Sequence, residues 1–253
     1  MSGASLELRD VGLAYGSRVA LAGVSVALAA GERVALLGPN GAGKSSLLRA
    51  ITDVGEGRRQ GSVVLDGVPI EEHGRAALAR RLAVVPGQTV IAFPTRVEEL
   101  VAMGRIPHEH PLLGPRPADQ AAIAAAIERV GIGGLVGRDV RELSLGERQL
   151  VVLAMAIAQG AGLLLLDEPT AHLDLRHQVT VMELLRDLSE GNGVTVLAVL
   201  HDVTLASHFF GRLLLLEGGR LVADGTPAEV LTAERVREVY GVDPALVAVP
   251  GPR

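Results

Sequence analysis

Residues 38–45 have the composition and spacing of a phosphate-binding loop. They fit G-x-x-x-x-G-K-[ST], the Walker A pattern, in which glycines let successive backbone N–H groups point at an anion. The lysine of this pattern reaches terminal phosphates, and its hydroxyl residue ligates Mg²⁺. The loop follows the apolar run "RVALL" and precedes the helical spacing of "KSSLLRAI", so the positive end of a helix adds to the site. The expected nucleotide-binding residues are Gly38, Pro39, Asn40, Gly41, Ala42, Gly43, Lys44, Ser45 and Ser46.

Two carboxylates, Asp167 and Glu168, come directly after the apolar run "LLLL". Ligands of open α/β sheets bind at the carboxyl ends of the strands, where these two residues would lie. Asp167 would hold Mg²⁺, usually through water, and Glu168 would orient and polarise an attacking water. Acids also end strands as helix caps, but an Asp-Glu pair after four leucines, in a chain with a Walker A loop, favours catalysis.

The segment "LSLGERQ", residues 143–149, has the outline of an active-site loop without a nucleophile. It offers the hydroxyl of Ser144 and the glycine Gly146, followed by the apolar helical continuation "LVVLAMAIA". It contains no histidine and no ready-made metal cluster. The loop by itself does not say what it acts on.

The rest of the pattern places these motifs at the ends of elements in an α/β fold. Strands are indicated by "SLELRD", "LAYG", "GVSVAL", "RVALLG" and "RLAVVP", and hairpins by "SVVLDGVPI", turning at Asp66-Gly67, and "RLLLLEGGRLVAD". Helices are indicated by "RVEELVAMG" and by "PADQAAIAAAIERVGI", which starts at Pro117 and ends at Gly131. Buried strands also alternate with helices from "LLLLDE" to "VTVLAVLH", which indicates a mostly parallel sheet.

Composition excludes several classes of protein. The 253 residues are 48% hydrophobic, which excludes disorder, and 2% aromatic, which leaves little for stacking on single-stranded nucleic acid. A net charge of -5 without a long basic run argues against nucleic acid as a partner. The absence of cysteine excludes disulfides and Cys-ligated zinc. No signal peptide is indicated, and the longest apolar run, residues 150–158, is too short to cross a bilayer, so we expect a soluble chain.

The motifs, taken in order, resemble the nucleotide-binding subunit of ATP-binding cassette (ABC) transporters over essentially the whole chain. They are Tyr15, the Walker A loop, Gln88 after a strand, "LSLGERQ", "LLLLDEP", "AHLD" ending at Asp174, and His201 after "VTVLAVL". Seven motifs in this order are far more specific than any one alone. The resemblance implies that ATP and Mg²⁺ bind to this chain.

The resemblance also implies the fold. We expect a P-loop NTPase fold with a mixed sheet core, an N-terminal antiparallel β subdomain and an inserted α-helical subdomain, forming one ABC ATPase domain over residues 1–253. The nucleotide-binding core would comprise residues 1–88 and 161–253. The helical subdomain, residues 89–160, would carry the LSLGERQ loop.

In this family the loop corresponding to LSLGERQ caps the γ-phosphate of ATP held by a second subunit, in a head-to-tail dimer. Ser144, Gly146 and Glu147 would therefore act in trans on the second copy, and Asp174 would lie at the dimer interface. Such a loop needs no nucleophile, because it completes the site of its partner.

Three further residues receive roles from the resemblance. Tyr15 would stack on adenine, although an ordinary strand aromatic explains much of the same pattern. His201 would contact the γ-phosphate and hold Glu168 and the water in place. Gln88 would take part in catalysis and ligate Mg²⁺ together with Ser45 and Asp167.

The sequence departs from the family pattern at two places. Leu145 stands where the family loop has its first glycine, so we expect phosphate contact through the retained Gly146 but altered packing. The family glutamine follows proline directly, whereas this chain reads Pro86-Gly87-Gln88. Counted back from Phe93-Pro94, Gly87 occupies the usual place of the glutamine. Both assignments stay open at this point.

Several stretches, among them "FPTRVEELVAMGRIPH" and the tail "ADGTPAEVLTAERVREVYGV", resemble ATPases of importers for iron–siderophores, haem and cobalamin. The implied partners are a second copy of the chain, two membrane permease subunits and, indirectly, a substrate-binding protein. The implied location is the cytoplasmic face of the cell membrane, as a peripheral subunit. Phe93, Pro94 and Val97 would form a groove for a short helix of the permease.

Other interpretations are less well supported. A soluble ABC ATPase that acts on DNA or the ribosome would carry two cassettes, a coiled-coil insertion or basic extensions, and none of these is present in the sequence. A P-loop kinase would leave "LSLGERQ" and "AHLD" unexplained. A metal site at His108-Glu109-His110 has poor ligand spacing, and a solvated loop explains it.

Overall fold

The computed structural model describes residues 2–52, 57–108 and 116–243, which form two sheets and the helices packed on them. A four-stranded antiparallel sheet has the order β2-β1-β4-β5, and a six-stranded sheet has the order β10-β9-β3-β8-β7-β6. The strands are β1 (Leu6–Tyr15), β2 (Arg18–Leu28), β3 (Arg33–Leu37), β4 (Arg58–Leu65), β5 (Val68–Pro69), β6 (Leu82–Val85), β7 (Leu163–Asp167), β8 (Thr195–Val199), β9 (Arg212–Glu217) and β10 (Arg220–Gly225).

Strands β3, β6, β7, β8 and β9 of the larger sheet run parallel, and β10 returns antiparallel to β9. The helices are α1 (Lys44–Thr52), α2 (Arg75–Arg81), α3 (Val97–Met103), α4 (Pro117–Val130), α5 (Leu145–Gln159), α6 (Leu175–Asn192), α7 (Val203–Phe209), α8 (Pro227–Val230) and α9 (Ala233–Tyr240). The expected α/β fold class is confirmed, with an antiparallel N-terminal sheet, a mixed central sheet and a helical insertion.

The central sheet separates two hydrophobic cores. One core packs the antiparallel sheet and α1 against one face through Leu8, Leu47 and Leu165. The other packs the helical insertion and α6 against the opposite face, with Val151, Leu164 and Leu185 among its fully or nearly buried members. Because successive strand residues point to opposite faces, each parallel strand contributes to both cores. This explains why these strands read as continuous apolar runs.

Local signals at turns and caps are confirmed. Asp66 and Gly67 have φ values of 52° and 79°, as a two-residue hairpin turn with the strand twist requires. Pro117 begins α4, and Gly131, at φ 76°, ends it. Within the described residues, no helix is long and apolar enough to span a bilayer.

One local expectation was wrong. "SLELRD" and "LAYG" are parts of one strand, β1, which stays paired on both sides although its register shifts around Asp10, a residue at φ 52°. Further along the chain, Glu71 forms an ion pair with Arg59, and α2 begins at Arg75. No residue of α2 is buried, so the helix gave no apolar periodicity to detect.

Candidate functional site

The Walker A loop connects the end of β3 to the start of α1, as the sequence predicts. Gly38, Gly41 and Gly43 have φ values of 149°, 80° and 104°, which side chains other than glycine rarely adopt. A Cβ atom at Gly43 would lie 2.7 Å from the carbonyl oxygen of Ala20 on β2. Glycine is therefore required at position 43 both by its backbone angle and by the close approach of the β1–β2 hairpin.

Lys44 is held inside this loop. Its side chain is 6% exposed, and Nζ donates hydrogen bonds of 2.7 Å to the Gly38 carbonyl and 3.0 Å to the Pro39 carbonyl. Burial lowers the pKa of Lys44, while the charges of Glu168 and Asp167 oppose this change. The ammonium group is thus pre-positioned among backbone dipoles at the start of α1.

Asp167 lies at the carboxyl end of β7, beside the loop. Burial raises its pKa, and a hydrogen bond with the Ser45 side chain opposes the rise. Its Oδ1 atom is buried and has no hydrogen-bond partner among the described residues. A carboxylate with an unsatisfied oxygen next to a serine hydroxyl is the hard-oxygen donor set that Mg²⁺ prefers, so these residues fit the expected ion.

Glu168 and His201 are brought into direct contact. The Nε2 atom of His201 lies 2.5 Å from Oε1 of Glu168, and both side chains are partly exposed. The backbone of Glu168 is unusual, with φ at 51°, and its amide donates to the Val199 carbonyl at 3.1 Å. Strain at a non-glycine residue that β8 holds in place is typical of a side chain aimed for function.

Gly87 and Gln88 both lie close to the carboxylates, in different ways. A Cβ atom at Gly87 would lie 3.1 Å from the Asp167 carbonyl oxygen, so residue 87 packs directly on the end of β7. Gln88 is exposed and lines a cavity of about 800 Å³ together with Ser45, Asp167 and Glu168. This placement is compatible with either register of the expected glutamine.

Tyr15 ends β1 and is half-buried. Its side chain lies between two cavities: the one just described, and a second of about 540 Å³ that the Walker A residues from Asn40 to Ser46 line together with Glu168 and His201. An aromatic side chain at the rim of the phosphate loop is in a position to stack on a base.

The LSLGERQ loop lies apart from both cavities. Ser144 caps α5, accepting a 3.2 Å hydrogen bond from the Glu147 amide, while the Ser144 amide donates at 2.8 Å to the Glu147 carboxylate. Leu145 is 59% exposed. Gly146 is buried, and a Cβ atom there would lie 2.9 Å from the His172 carbonyl oxygen. None of these residues lines either cavity of the described chain.

The carboxylates of Glu147 and Asp174 form hydrogen bonds within their own helix starts. Glu147 also lies 3.5 Å from Arg138, and its pKa is lowered mainly by hydrogen bonding with Ser144. Asp174 caps α6, accepts from the amide of His177 at 2.9 Å and has a side chain that is 68% exposed. Hydrogen bonding with His177 lowers the pKa of Asp174.

One expected surface residue is a core residue. Phe93 is 77% exposed and Pro94 is exposed, but Val97 is fully buried in the core of the helical insertion. Val97 is the first residue of α3 and faces inward, so it cannot line a groove. His108 binds the Gln159 carbonyl oxygen at 2.7 Å through Nε2, whereas Glu109 and His110 lie outside the described residues.

Sequence reasoning missed three side chains near the site. Arg49 and His172 line the larger cavity, and Arg18 lines the cavity of the Walker A loop. Arg49 had a detectable signal, because it lies four residues after Ser45 and therefore on the same face of α1. Arg18 had none, since its place depends on strand register.

Comparison with known proteins agrees with this geometry. The model of the ABC transporter family matches residues 21–171. The chain is 42% identical to the hemin import ATP-binding protein of Pseudomonas fluorescens over 94% of this chain and 93% of that protein. It is 35% identical to the iron(3+)-hydroxamate import ATP-binding protein of Bacillus subtilis, covering 97% and 91% of the two chains.

A dimeric bacterial ABC transporter cassette has a similar structure, with a TM-score of 0.78 and 25% identity over 87% of this chain and 98% of that one. The family model, the two relatives and the similar structure all indicate the family that the order of the motifs predicts. The chain belongs to the ABC transporter family and is an ATPase of that family.

Proposed function

We propose that this chain is the ATP-hydrolysing subunit of an importer for a metal chelate: an iron–siderophore complex, haem or cobalamin. The support for this cargo class is that the relatives are named for the import of hemin and of iron(3+)-hydroxamate and cover nearly the whole chain. Two membrane permease subunits and, indirectly, a substrate-binding protein would be its partners. The chain would then sit peripherally at the cytoplasmic face of the membrane.

The observation that carries the proposal is the division of the phosphate-binding groups. Lys44 and Ser45 line one cavity, and Ser45 and Asp167 line the neighbouring one. Ser144 and Gly146 lie at the start of a 15-residue helix outside both cavities. The N-terminus of a helix favours a phosphate, yet the phosphate loop of the same chain is elsewhere. A second copy in head-to-tail orientation would bring Ser144, Gly146 and Glu147 to the γ-phosphate, with Asp174 at the interface.

Catalysis would use the contact between Glu168 and His201. Glu168 would accept a proton from the attacking water, and His201 would hold the Glu168 carboxylate and the γ-phosphate in register. Lys44 would stabilise the charge that develops on the phosphate oxygens. Mg²⁺, held by Ser45, Asp167 and Gln88, would supply further neutralisation of that charge.

The same arrangement would convert hydrolysis into movement. ATP binds both copies, so it favours the closed dimer, and loss of the γ-phosphate removes the bridging charge. We propose that residues 89–160 move as one helical subdomain against the core of residues 1–88 and 161–253. Phe93 and Pro94, exposed on the insertion, would contact the permease.

The test is the Glu168→Gln variant, with Glu183→Gln as a matched control on the exposed face of α6. We expect Glu168→Gln to bind ATP normally, to lose hydrolysis by about two orders of magnitude or more, and to elute as an ATP-dependent dimer. Glu183→Gln should hydrolyse like the wild type. Wild-type turnover in Glu168→Gln, or a strictly monomeric Glu168→Gln protein with saturating ATP, would contradict the proposal.

A further inference from the structure

Arg18 is the register partner of Tyr15 across the tight turn that joins β1 to β2. Residues directly opposite each other in an antiparallel pair place their side chains on the same face of the sheet, with Cβ atoms about 4.5–5.5 Å apart. The Arg18 guanidinium therefore stands on the same side of the hairpin as the Tyr15 ring.

That side of the hairpin faces the Walker A loop. Tyr15 and Arg18 both line the cavity of about 540 Å³ with the loop residues. Ala20, two residues further along β2, places its carbonyl oxygen 2.7 Å from the position of a Cβ at Gly43. Two residues of strand span about 7 Å, which an extended arginine side chain can cover. Arg18 thus lies within reach of a ligand held at the start of α1.

The charge of Arg18 is not used within the described chain. The residue is exposed, and no described residue makes a hydrogen bond or ion pair with its side chain. Lys44, in contrast, is bound to the carbonyls of Gly38 and Pro39 and faces two carboxylates. The end of the cavity next to Tyr15 therefore contains a cationic side chain, Arg18, with which no described residue forms an ion pair.

We infer that Arg18 is a nucleotide-binding residue that contacts the α-phosphate of a nucleotide whose base stacks on Tyr15. A guanidinium offers paired donors that match phosphate oxygens, and such charge-assisted bonds are among the stronger polar contacts in proteins. Arg18 reaches the nucleotide from the hairpin, opposite the helix that binds the terminal phosphates. The inference rests on the proposed ATP site.

The experiment measures equilibrium binding of ATP and of ADP in EDTA, so that Mg²⁺ makes no contribution. Arg18→Ala weakens both nucleotides by a similar factor, about tenfold, because both carry the α-phosphate. Arg18→Lys retains only part of the affinity, since it keeps the charge but loses the paired donors. The wild type loses affinity more steeply with added salt than Arg18→Ala does.

The matched control is Arg58→Ala. Arg58 is exposed on the neighbouring strand β4 and pairs with Ala14, so it belongs to the face opposite Tyr15. This variant binds both nucleotides within about twofold of the wild type, because an isolated surface charge contributes little. Thermal melting verifies that each variant is folded.

Four results overturn the inference. They are unchanged affinity in Arg18→Ala, a loss confined to ATP, an equal loss in Arg58→Ala, and a salt dependence in the wild type no steeper than that in Arg18→Ala, which would indicate stacking on the base instead of a phosphate contact. If the wild type binds neither nucleotide, the proposed function itself is contradicted. This outcome differs from the others because they all require a wild type that binds nucleotide.

Discussion

The Nε2 atom of His201 lies 2.5 Å from Oε1 of Glu168, and the two residues follow the neighbouring parallel strands β8 and β7. Strands β7 and β8 are neighbours in the central sheet, so their carboxyl ends place the two side chains side by side. The Glu168 amide is bound to the Val199 carbonyl at the end of β8, which fixes the spacing of the pair. The sheet itself therefore positions the Glu168 carboxylate beside His201.

Removal of the imidazole should separate catalysis from binding. We expect His201→Ala to lower the rate of ATP hydrolysis by about 10²-fold, because Glu168 loses the group that orients it. ATP affinity should change little, since Lys44 and the loop amides remain. Rates under saturating ATP and equilibrium binding measure the two effects. His208→Ala, on the exposed side of α7, serves as the control. A fall in affinity equal to the fall in rate would mean that His201 is mainly a binding residue.

Asp167 should destabilise the folded chain at neutral pH. Its pKa is raised in the folded state, chiefly by burial, so protonation favours folding: the contribution is most favourable below pH 3.8 and is lost as the pH rises through the raised value. Asp167→Asn should therefore raise Tm at pH 7 by about 2–4 °C, as is common when a buried functional charge is removed. The gain should shrink towards pH 4.

Calorimetry at pH 7 and pH 4, without Mg²⁺ or nucleotide, measures this effect. Asp187→Asn is the control, because the Asp187 side chain is 74% exposed on α6. An unchanged or lower Tm for Asp167→Asn at pH 7 would show that its carboxylate is stabilised by contacts rather than penalised by burial.

The sequence alone predicts the parts of the site that depend on local pattern. Glycines with positive φ, a lysine at a helix start and acids at the end of an apolar run follow from residue type and spacing, as at Gly43, Lys44 and Asp167. These features depend only on residues that are close to one another in the sequence. Motif order then supplied the long-range association of Glu168 with His201.

Features that depend on register or packing were not predictable in this way. The sequence predicted that Val97 lines an exposed groove, because the sequence near a loop does not show whether an apolar side chain points inward or outward. The packing of α3 places Val97 in the core. The continuity of β1 was hidden by a register shift near Asp10, which breaks the two-residue alternation. Arg18 became a candidate only once its pairing with Tyr15 was known.

Leu145 should contribute to the ATP-dependent dimer. It is 59% exposed at the first turn of α5, next to the groups expected to contact a second copy. Burial of such a side chain contributes about 1–2 kcal/mol, so Leu145→Ala should weaken the dimer about tenfold without changing ATP binding to the monomer. Sedimentation in the Glu168→Gln background gives the dimer affinity. Val222→Ala, an exposed apolar residue on β10, is the control. A tighter dimer in Leu145→Ala would show that the leucine obstructs association.

One substitution distinguishes whether Gln88 or Gly87 occupies the position of the family glutamine, because only Gln88 has a side-chain amide that could bind Mg²⁺. It shares a cavity with Ser45, Asp167 and Glu168. If Gln88 helps to hold Mg²⁺, Gln88→Ala should lower hydrolysis about tenfold or more and raise the Mg²⁺ concentration needed for half-maximal rate. Val90→Ala, two residues on and 92% exposed, controls for general effects on the loop. Unchanged Mg²⁺ dependence in Gln88→Ala would show that Gly87 occupies the position of the family glutamine. The Gln88 side chain would then not be a ligand of the ion.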